Sequence, residues 1–399
     1  MKLLKTLTAL SLAGVMTASS AMYAFADGPA DQSFVDKQAR LKDNVLEYDE
    51  IYDLVDTYNK TVQNNNRTLN SFKSSAMDTV DYLMEKADEM EDLADEIDSQ
   101  YDSMLGSGDY TQLTMLLGQA AAAKQQAQTL KKQVQSSTKS ADFQIAKLNV
   151  EQGKYAIVIM AQNYMSNYNQ LLNQLTSAQS GVALAAAAYE AAQTQLALGL
   201  CTAQDVTGAF NQYQTTLNSV KALEDSIANL KDSLGQLCGW STGSNPDIRE
   251  IPAADPSYID GIDLQADIKK AIGNSYTLRI DRRSLNSIGT SSEEKNLRNT
   301  IAEEEQKLNT IVTQKYNTLL QKKAAYDNAV VAFNLETANL ATAQQKLSMG
   351  MISPLEFKQA QSSYDAKEAA LKNADIDLFM AIEDYKWTVD KGIYSSGGM

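Results

Sequence analysis

The sequence predicts an all-α protein of long antiparallel coiled-coil helical hairpins in two tandem repeats, and two observations carry this. First, Ala161, Tyr168, Leu175, Val182, Tyr189 and Leu196 are spaced by seven, and so are Val312, Leu319, Tyr326, Phe333, Leu340 and Leu347, which lie 151 residues later. Second, a glycine follows each run, at Gly199 and Gly350, and a new seven-residue series follows each glycine. These later series are Val206, Tyr213, Val220, Ile227 and Leu234, then Phe357, Tyr364, Leu371, Leu378 and Tyr385. A seven-residue apolar repeat is the signature of helices packed along a seam, and an internal repeat of this length means the same hairpin built twice.

Along the chain, Lys2 and Lys5 precede an apolar run from Leu7 to Met16 and small residues ending at Ala26, the order of a secretory signal peptide over 1–26. The run is too short to span a bilayer. The first repeat occupies 27–238. It begins with a short helix, Ile51 to Leu69, and carries an inserted helical hairpin over about 74–138. In that insertion Ala87, Met90, Ala94, Ile97, Tyr101 and Met104 alternate spacings of three and four, Gly106 to Asp109 form a turn, and Leu116, Ala120, Ala123, Ala127 and Leu130 lie along a returning seam. Three of the five prolines, Pro246, Pro252 and Pro256, mark a linker over 239–262. The second repeat, 263–391, starts with a helix from Leu264 to Leu285 and has only a short turn, Gly289 to Ser291, where the first has the inserted hairpin. Residues 392–399 read as a flexible tail. Trp240 and Trp387 stand where each repeat ends and read as bundle-sealing rings.

Composition excludes several function classes. There is no histidine, which removes Ser-His-Asp and Cys-His catalysis and most zinc sites. No nucleophile motif, phosphate loop or cofactor motif is present, so the chain does not read as an enzyme and implies no cofactor. The net charge of −15 becomes −17 once Lys2 and Lys5 leave with the leader, so the general field repels nucleic acid. Cys201 and Cys238 would sit at opposite ends of a helix roughly 50 Å long, too far apart to bridge. The acidic run Asp88, Glu89, Glu91, Asp92, Asp95, Glu96 and Asp98 lacks the spacing of a calcium loop and reads as a solvated helix face.

The glycine turns carry a resemblance. Leu198-Gly199-Leu200-Cys201-Thr202-Ala203-Gln204-Asp205-Val206 and Met349-Gly350-Met351-Ile352-Ser353-Pro354-Leu355-Glu356-Phe357 share an apolar-Gly-apolar turn, then Ser or Thr, then an acid and an apolar residue. Two such turns inside heptad helices resemble the TolC family of outer-membrane efflux proteins. The resemblance implies a trimer whose helices form a hollow cylinder, capped by a shared β-barrel, with the glycine turns at the far tip. It implies that Leu198, Gly199, Leu200, Thr202, Asp205, Met349, Gly350, Met351, Ser353 and Glu356 meet an adaptor. Physical chemistry agrees locally: glycine accepts the positive φ that ends a helix, Thr202 and Ser353 cap the next one, and exposed apolar flanks ask for a cover.

The sequence departs from that family where the barrel strands should lie, which gives a barrel-less relative: a TolC-like α-barrel domain without the β-barrel, not membrane-spanning by itself. The first functional reading is an exported, extracytoplasmic component of an efflux or secretion assembly that forms or docks to a tunnel through its hairpin tips. Its implied partners are a periplasmic-adaptor-like (membrane fusion) protein, an inner-membrane or ABC pump, and two further copies in a homotrimer. The alternative is a structural cell-envelope coiled-coil spacer or adhesive protein without transport activity.

Overall fold

A computed structural model describes residues 40–41, 43–73, 79–104, 110–135, 141–285, 288 and 290–394. The expected leader over 1–26, the turn from Gly106 to Asp109 and Gly289 lie outside the described residues. Ten α-helices appear among them. In chain order they are α1 (Ile51–Tyr58), α2 (Lys60–Lys73), α3 (Thr79–Met104), α4 (Tyr110–Gln135), α5 (Ala141–Ala197), α6 (Ala203–Leu237), α7 (Leu264–Asn274), α8 (Tyr276–Ser284), α9 (Ser291–Ser348) and α10 (Pro354–Lys391). The strands among the described residues are two residues long each: β1 (Val45–Leu46) pairs in parallel with β2 (Asp247–Ile248). Among the described residues no helix is long and apolar enough to cross a membrane.

The two predicted hairpins are α5–α6 and α9–α10, and they pack on each other through α5 and α10. Gln170 Nε2 donates to Asp377 Oδ1 at 2.7 Å, and Asn173 Nδ2 donates to Asn373 Oδ1 at 2.9 Å. The Trp387 ring N–H meets Gln162 Oε1 at 2.9 Å. Partner numbers fall along α10 as they rise along α5, so these helices are antiparallel. The four long helices therefore lie in the order α6, α5, α10, α9.

The seven-residue series form the seams, and their burial changes along the helices. At the base, Ala161, Val312, Leu319, Leu234, Leu378 and Tyr385 are fully buried. Toward the glycine turns, Tyr189, Phe333 and Tyr364 are half-buried and Leu196 is exposed, because only one partner helix covers each seam there. Two hydrophobic cores follow. The first gathers Leu46, Ile51, Leu54, Val158, Met165 and Leu234. The second gathers Leu278, Leu308, Val312, Leu319, Leu378 and Tyr385. Both tryptophans pack against the first core, although Trp387 belongs to the second repeat.

The short starting helices differ from the sequence expectation in one respect. The stretch Ile51 to Leu69 breaks at Asn59, and Leu264 to Leu285 breaks at Ser275. Asn59 turns extended (φ −66°, ψ 122°), and its side-chain oxygen accepts from the N–H groups of Thr61 and Val62 at 3.0 and 3.1 Å. Ser275 does the same (φ −53°, ψ 121°), accepting from Leu278 N–H at 3.3 Å. Both are polar residues whose side chains compete for the backbone and so end one helix and start the next. The breaks lie 216 residues apart; the excess over 151 is 65, the length of the stretch 74–138.

The end of each repeat docks back into the break of that same repeat. Asn59 Nδ2 donates to Leu237 O at 2.8 Å, and Asn274 Nδ2 donates to Val389 O and Asp390 O at 2.9 and 3.0 Å. Gly239 (φ 95°) and Gly392 (φ 63°) follow those carbonyls in the left-handed conformation. Packing then continues past Gly392: Ile393 is buried, and the Tyr394 hydroxyl bonds Glu304. Residues 392–394 are thus packed where the sequence suggests a flexible tail.

The inserted hairpin is the α3–α4 pair. Ala87, Ala94, Ile97, Leu116, Ala120, Ala123, Ala127 and Leu130 are buried between its helices. The acidic run on α3 faces solvent apart from half-buried Asp98, as a solvated face should. Two of its members tie the pair: Lys124 to Asp98 and Lys131 to Glu91, both at 2.5 Å. The linker over 239–262 is a strap rather than a loose connection. Asn44 Nδ2 donates to Asn245 O at 3.0 Å beside the β1–β2 pair, and Asp375 on α10 accepts the Ala254 N–H at 3.3 Å.

Candidate functional site

The glycine turns are built alike, bond for bond. Helix α5 ends with Gly199 N–H donating to Leu196 O at 3.0 Å and Leu200 N–H donating to Gln195 O at 2.8 Å. Helix α9 ends with Gly350 N–H to Leu347 O at 3.0 Å and Met351 N–H to Lys346 O at 2.8 Å. This pair of bonds, six-to-one around five-to-two, satisfies the last carbonyls and requires a left-handed residue at its centre. Gly199 and Gly350 supply it, at φ 72° and 68°.

The next helix starts in the same four residues. Thr202 Oγ1 accepts from Asp205 N–H at 3.3 Å, while Asp205 Oδ2 accepts from Thr202 N–H at 2.8 Å and from its hydroxyl at 2.7 Å. Ser353 and Glu356 repeat this at 3.2, 2.7 and 2.9 Å, with Pro354 at the first helical position. Each is a reciprocal capping box that satisfies two otherwise orphan N–H groups. The bonds from the Thr202 and Ser353 backbones hold the carboxyls of Asp205 and Glu356 below their ordinary range. Both acids therefore carry full charge at neutral pH, against the positive helix ends.

What remains exposed is apolar. Leu198, Leu200, Met349 and Met351 retain 67%, 73%, 64% and 66% of their accessible surface. Cys201 and Ile352, one step later, tuck back half-buried, and the Cys201 thiol meets Ala192 O at 3.2 Å. The α5–α10 register, followed outward from Asn173 and Asn373, brings Leu198 to about the level of Met349. The ten residues singled out in the sequence thus fall in two turns at one end of the hairpin pair. They offer an exposed apolar surface beside two charged caps.

Two further features escape the sequence reading. Val331 and Leu335 on α9 retain 68% and 62% of their surface. They lie on the side opposite the Leu319–Tyr326–Phe333 seam, which faces α10, and their spacing of four was the available signal. The strap places Glu250 and Ile251 over the α5–α10 groove, which composition alone did not indicate. Among the described residues, no group of His, Cys, Asp and Glu is arranged to hold a metal ion. Both cysteines are free, and burial pushes the Cys238 thiol up to about 12.

No family model matches the sequence, and no curated protein matches it. Among solved structures the chain is similar to the CmeC outer membrane channel of Campylobacter jejuni, at 11% identity over 65% of this chain and 67% of that one, with a TM-score of 0.45. It is similar to the outer membrane protein VceC of Vibrio cholerae, at 12% identity over 63% and 73%, TM-score 0.45. It is similar to CusC, at 13% identity over 79% and 97%, TM-score 0.45. By its own geometry the chain is two tandem long-helix hairpins that turn at glycine, with the α3–α4 pair inserted in the first repeat.

Proposed function

We propose that the chain is an extracytoplasmic component of an efflux or secretion assembly. In this reading three copies close side by side into a helical tunnel, and the glycine-turn tips dock on the coiled-coil hairpin of a membrane-fusion-type adaptor serving an inner-membrane or ABC pump. The mechanism is conduction and scaffolding through helix-to-helix packing. The observation that carries it is the exposure of Leu198, Leu200, Met349 and Met351, held outward by two identical rigid turns at one end of the molecule. Contiguous exposed apolar groups on rigid elements favour a covering partner, and the capping boxes fix their positions without one. The open layer α6–α5–α10–α9 adds support, since an open layer whose edge helix bears Val331 and Leu335 is completed by the edge of another copy.

The test has two arms. Light scattering on the purified chain reads the oligomeric state: a defined ring-sized species supports the tunnel, and a strictly monomeric species at all concentrations overturns it in favour of a coiled-coil spacer. Pull-down of an adaptor encoded beside the chain reads the tip. Gly199→Pro with Gly350→Pro abolishes capture while helicity by circular dichroism is mostly kept. Unchanged capture by that double variant removes tip docking.

A further inference from the structure

A cavity of ≈360 Å³ lies beneath the strap, in the gap between the two hydrophobic cores. Leu172 on α5, Leu371 on α10, Tyr326 on α9 and Ile251 on the strap form its apolar walls, and Glu250 and Asp375 supply carboxylates. Its size falls at the lower end of the range of small-molecule sites, roughly 300–1,000 Å³, and its lining sets apolar side chains beside polar and charged ones.

The charges are unbalanced. Asp375 is half-buried, and burial raises its pKa, relieved only in part by the Ala254 N–H at 3.3 Å. No ion pair forms at Asp375 among the described residues. The lining cation, Lys372, is turned to Glu368 at 3.0 Å on its own helix. A desolvated carboxylate without a counter-charge is stabilised by an incoming cation. The walls also carry the neutral amides of Asn169 and Asn173, which add polar contacts but no charge. The apolar walls offer an apolar body close packing, and the Tyr326 ring is a face on which an organic cation stacks favourably.

From this juxtaposition we infer that the cavity binds a small organic cation with an apolar body, its charge against Asp375 and Glu250 and its body against Leu172, Ile251, Tyr326 and Leu371. The site is formed within one chain, from both repeats and the strap. It does not depend on ring closure or on the tips. A ligand seated there bridges α5 and α10, the contact that joins the two hairpins.

The experiment is calorimetric titration of the full-length chain with benzyltriethylammonium and, separately, with benzenesulfonate, an aromatic probe of opposite charge. Saturable binding of the cation and none of the anion is the expected result. Asp375→Asn keeps an oxygen to accept the Ala254 N–H, so the strap stays seated, and the lost charge weakens cation binding about tenfold. Leu371→Trp fills the cavity and removes binding while far-ultraviolet circular dichroism is retained. Absence of saturable cation binding, equal binding of the anion, or an unchanged affinity in Asp375→Asn each overturns the inference.

Discussion

The backbone of Asn274 leaves no room for a side chain at Gly392: a Cβ there would lie 2.3 Å from the Asn274 carbonyl carbon. The first repeat has the same contact, where a Cβ on Gly239 would lie 2.2 Å from the Cβ of Tyr58. Glycine is required twice over, for positive φ and for contact distance. Gly392→Ala should therefore cost about 3 kcal/mol or more, combining left-handed strain with a clash against backbone that cannot rotate away. Gly350→Ala has comparable strain (φ 68°) but open space around it, and should cost about 1–2 kcal/mol. Urea midpoints of the two variants, compared at equal m-value, check the difference; equal losses would show that the Asn274 contact contributes nothing.

The asparagine that reaches back in each repeat carries the same interface. Asn274→Ala removes two hydrogen bonds to the end of α10, and Asn59→Ala removes one to Leu237 O together with both capping bonds of α2. Asn59 is itself buried, so its partners lose water as well. The expected costs are about 1–2 kcal/mol for Asn274→Ala and about 2–3 kcal/mol for Asn59→Ala. Thermal unfolding of the pair of variants should rank them in that order.

The helices, the two repeats, the glycine turns and the inserted hairpin were legible in the sequence because each is a periodic or local signal. Seven-residue apolar spacing needs no tertiary information, and Gly199 and Gly350 announce themselves by the caps that follow. The breaks at Asn59 and Ser275 were not legible. Each lies inside apolar periodicity that runs on across it, and only docking of the same repeat's far end makes an extended residue worthwhile there. The Gly392 contact was hidden for the same reason: a glycine near a chain end looks like a tail until Asn274 is placed beside it. At the candidate site, residue identities and turn conformation were readable. The outer stripe of Val331 and Leu335 was not, since its meaning depends on which face of α9 meets α10.

Acid should loosen the tips before it loosens the base. Asp205 and Glu356 have folded pKa values below their unfolded ones, which lie at about 4. Their contribution is therefore complete above about pH 5 and is lost as pH falls through the lower folded values. Asp281 and Asp375, raised by burial, respond with the opposite sign, since protonation relieves them. A global melting curve mixes these terms, so the check is local. Hydrogen-exchange protection of the Asp205 and Glu356 amides should fall between about pH 5 and 3, and Asp205→Asn with Glu356→Gln should flatten that fall.

The outer stripe of α9 separates a chain that stands alone from one that closes into a ring. Val331 and Leu335 are more than half exposed in the single chain, so replacing both with Glu removes little burial and should change its stability by no more than about 0.5 kcal/mol per site. Leu319, on the same helix but fully buried against the second core, sets the contrast: Leu319→Ala should cost about 2–5 kcal/mol. If another copy covers the stripe, the two glutamates become buried charges without partners, a cost large enough to dissociate the assembly. Size-exclusion chromatography with light scattering reads the outcome. A wild-type oligomer that becomes monomeric in Val331→Glu with Leu335→Glu, at unchanged helicity, assigns the stripe to the contact between copies. An oligomer that survives both charges places that contact elsewhere on the layer.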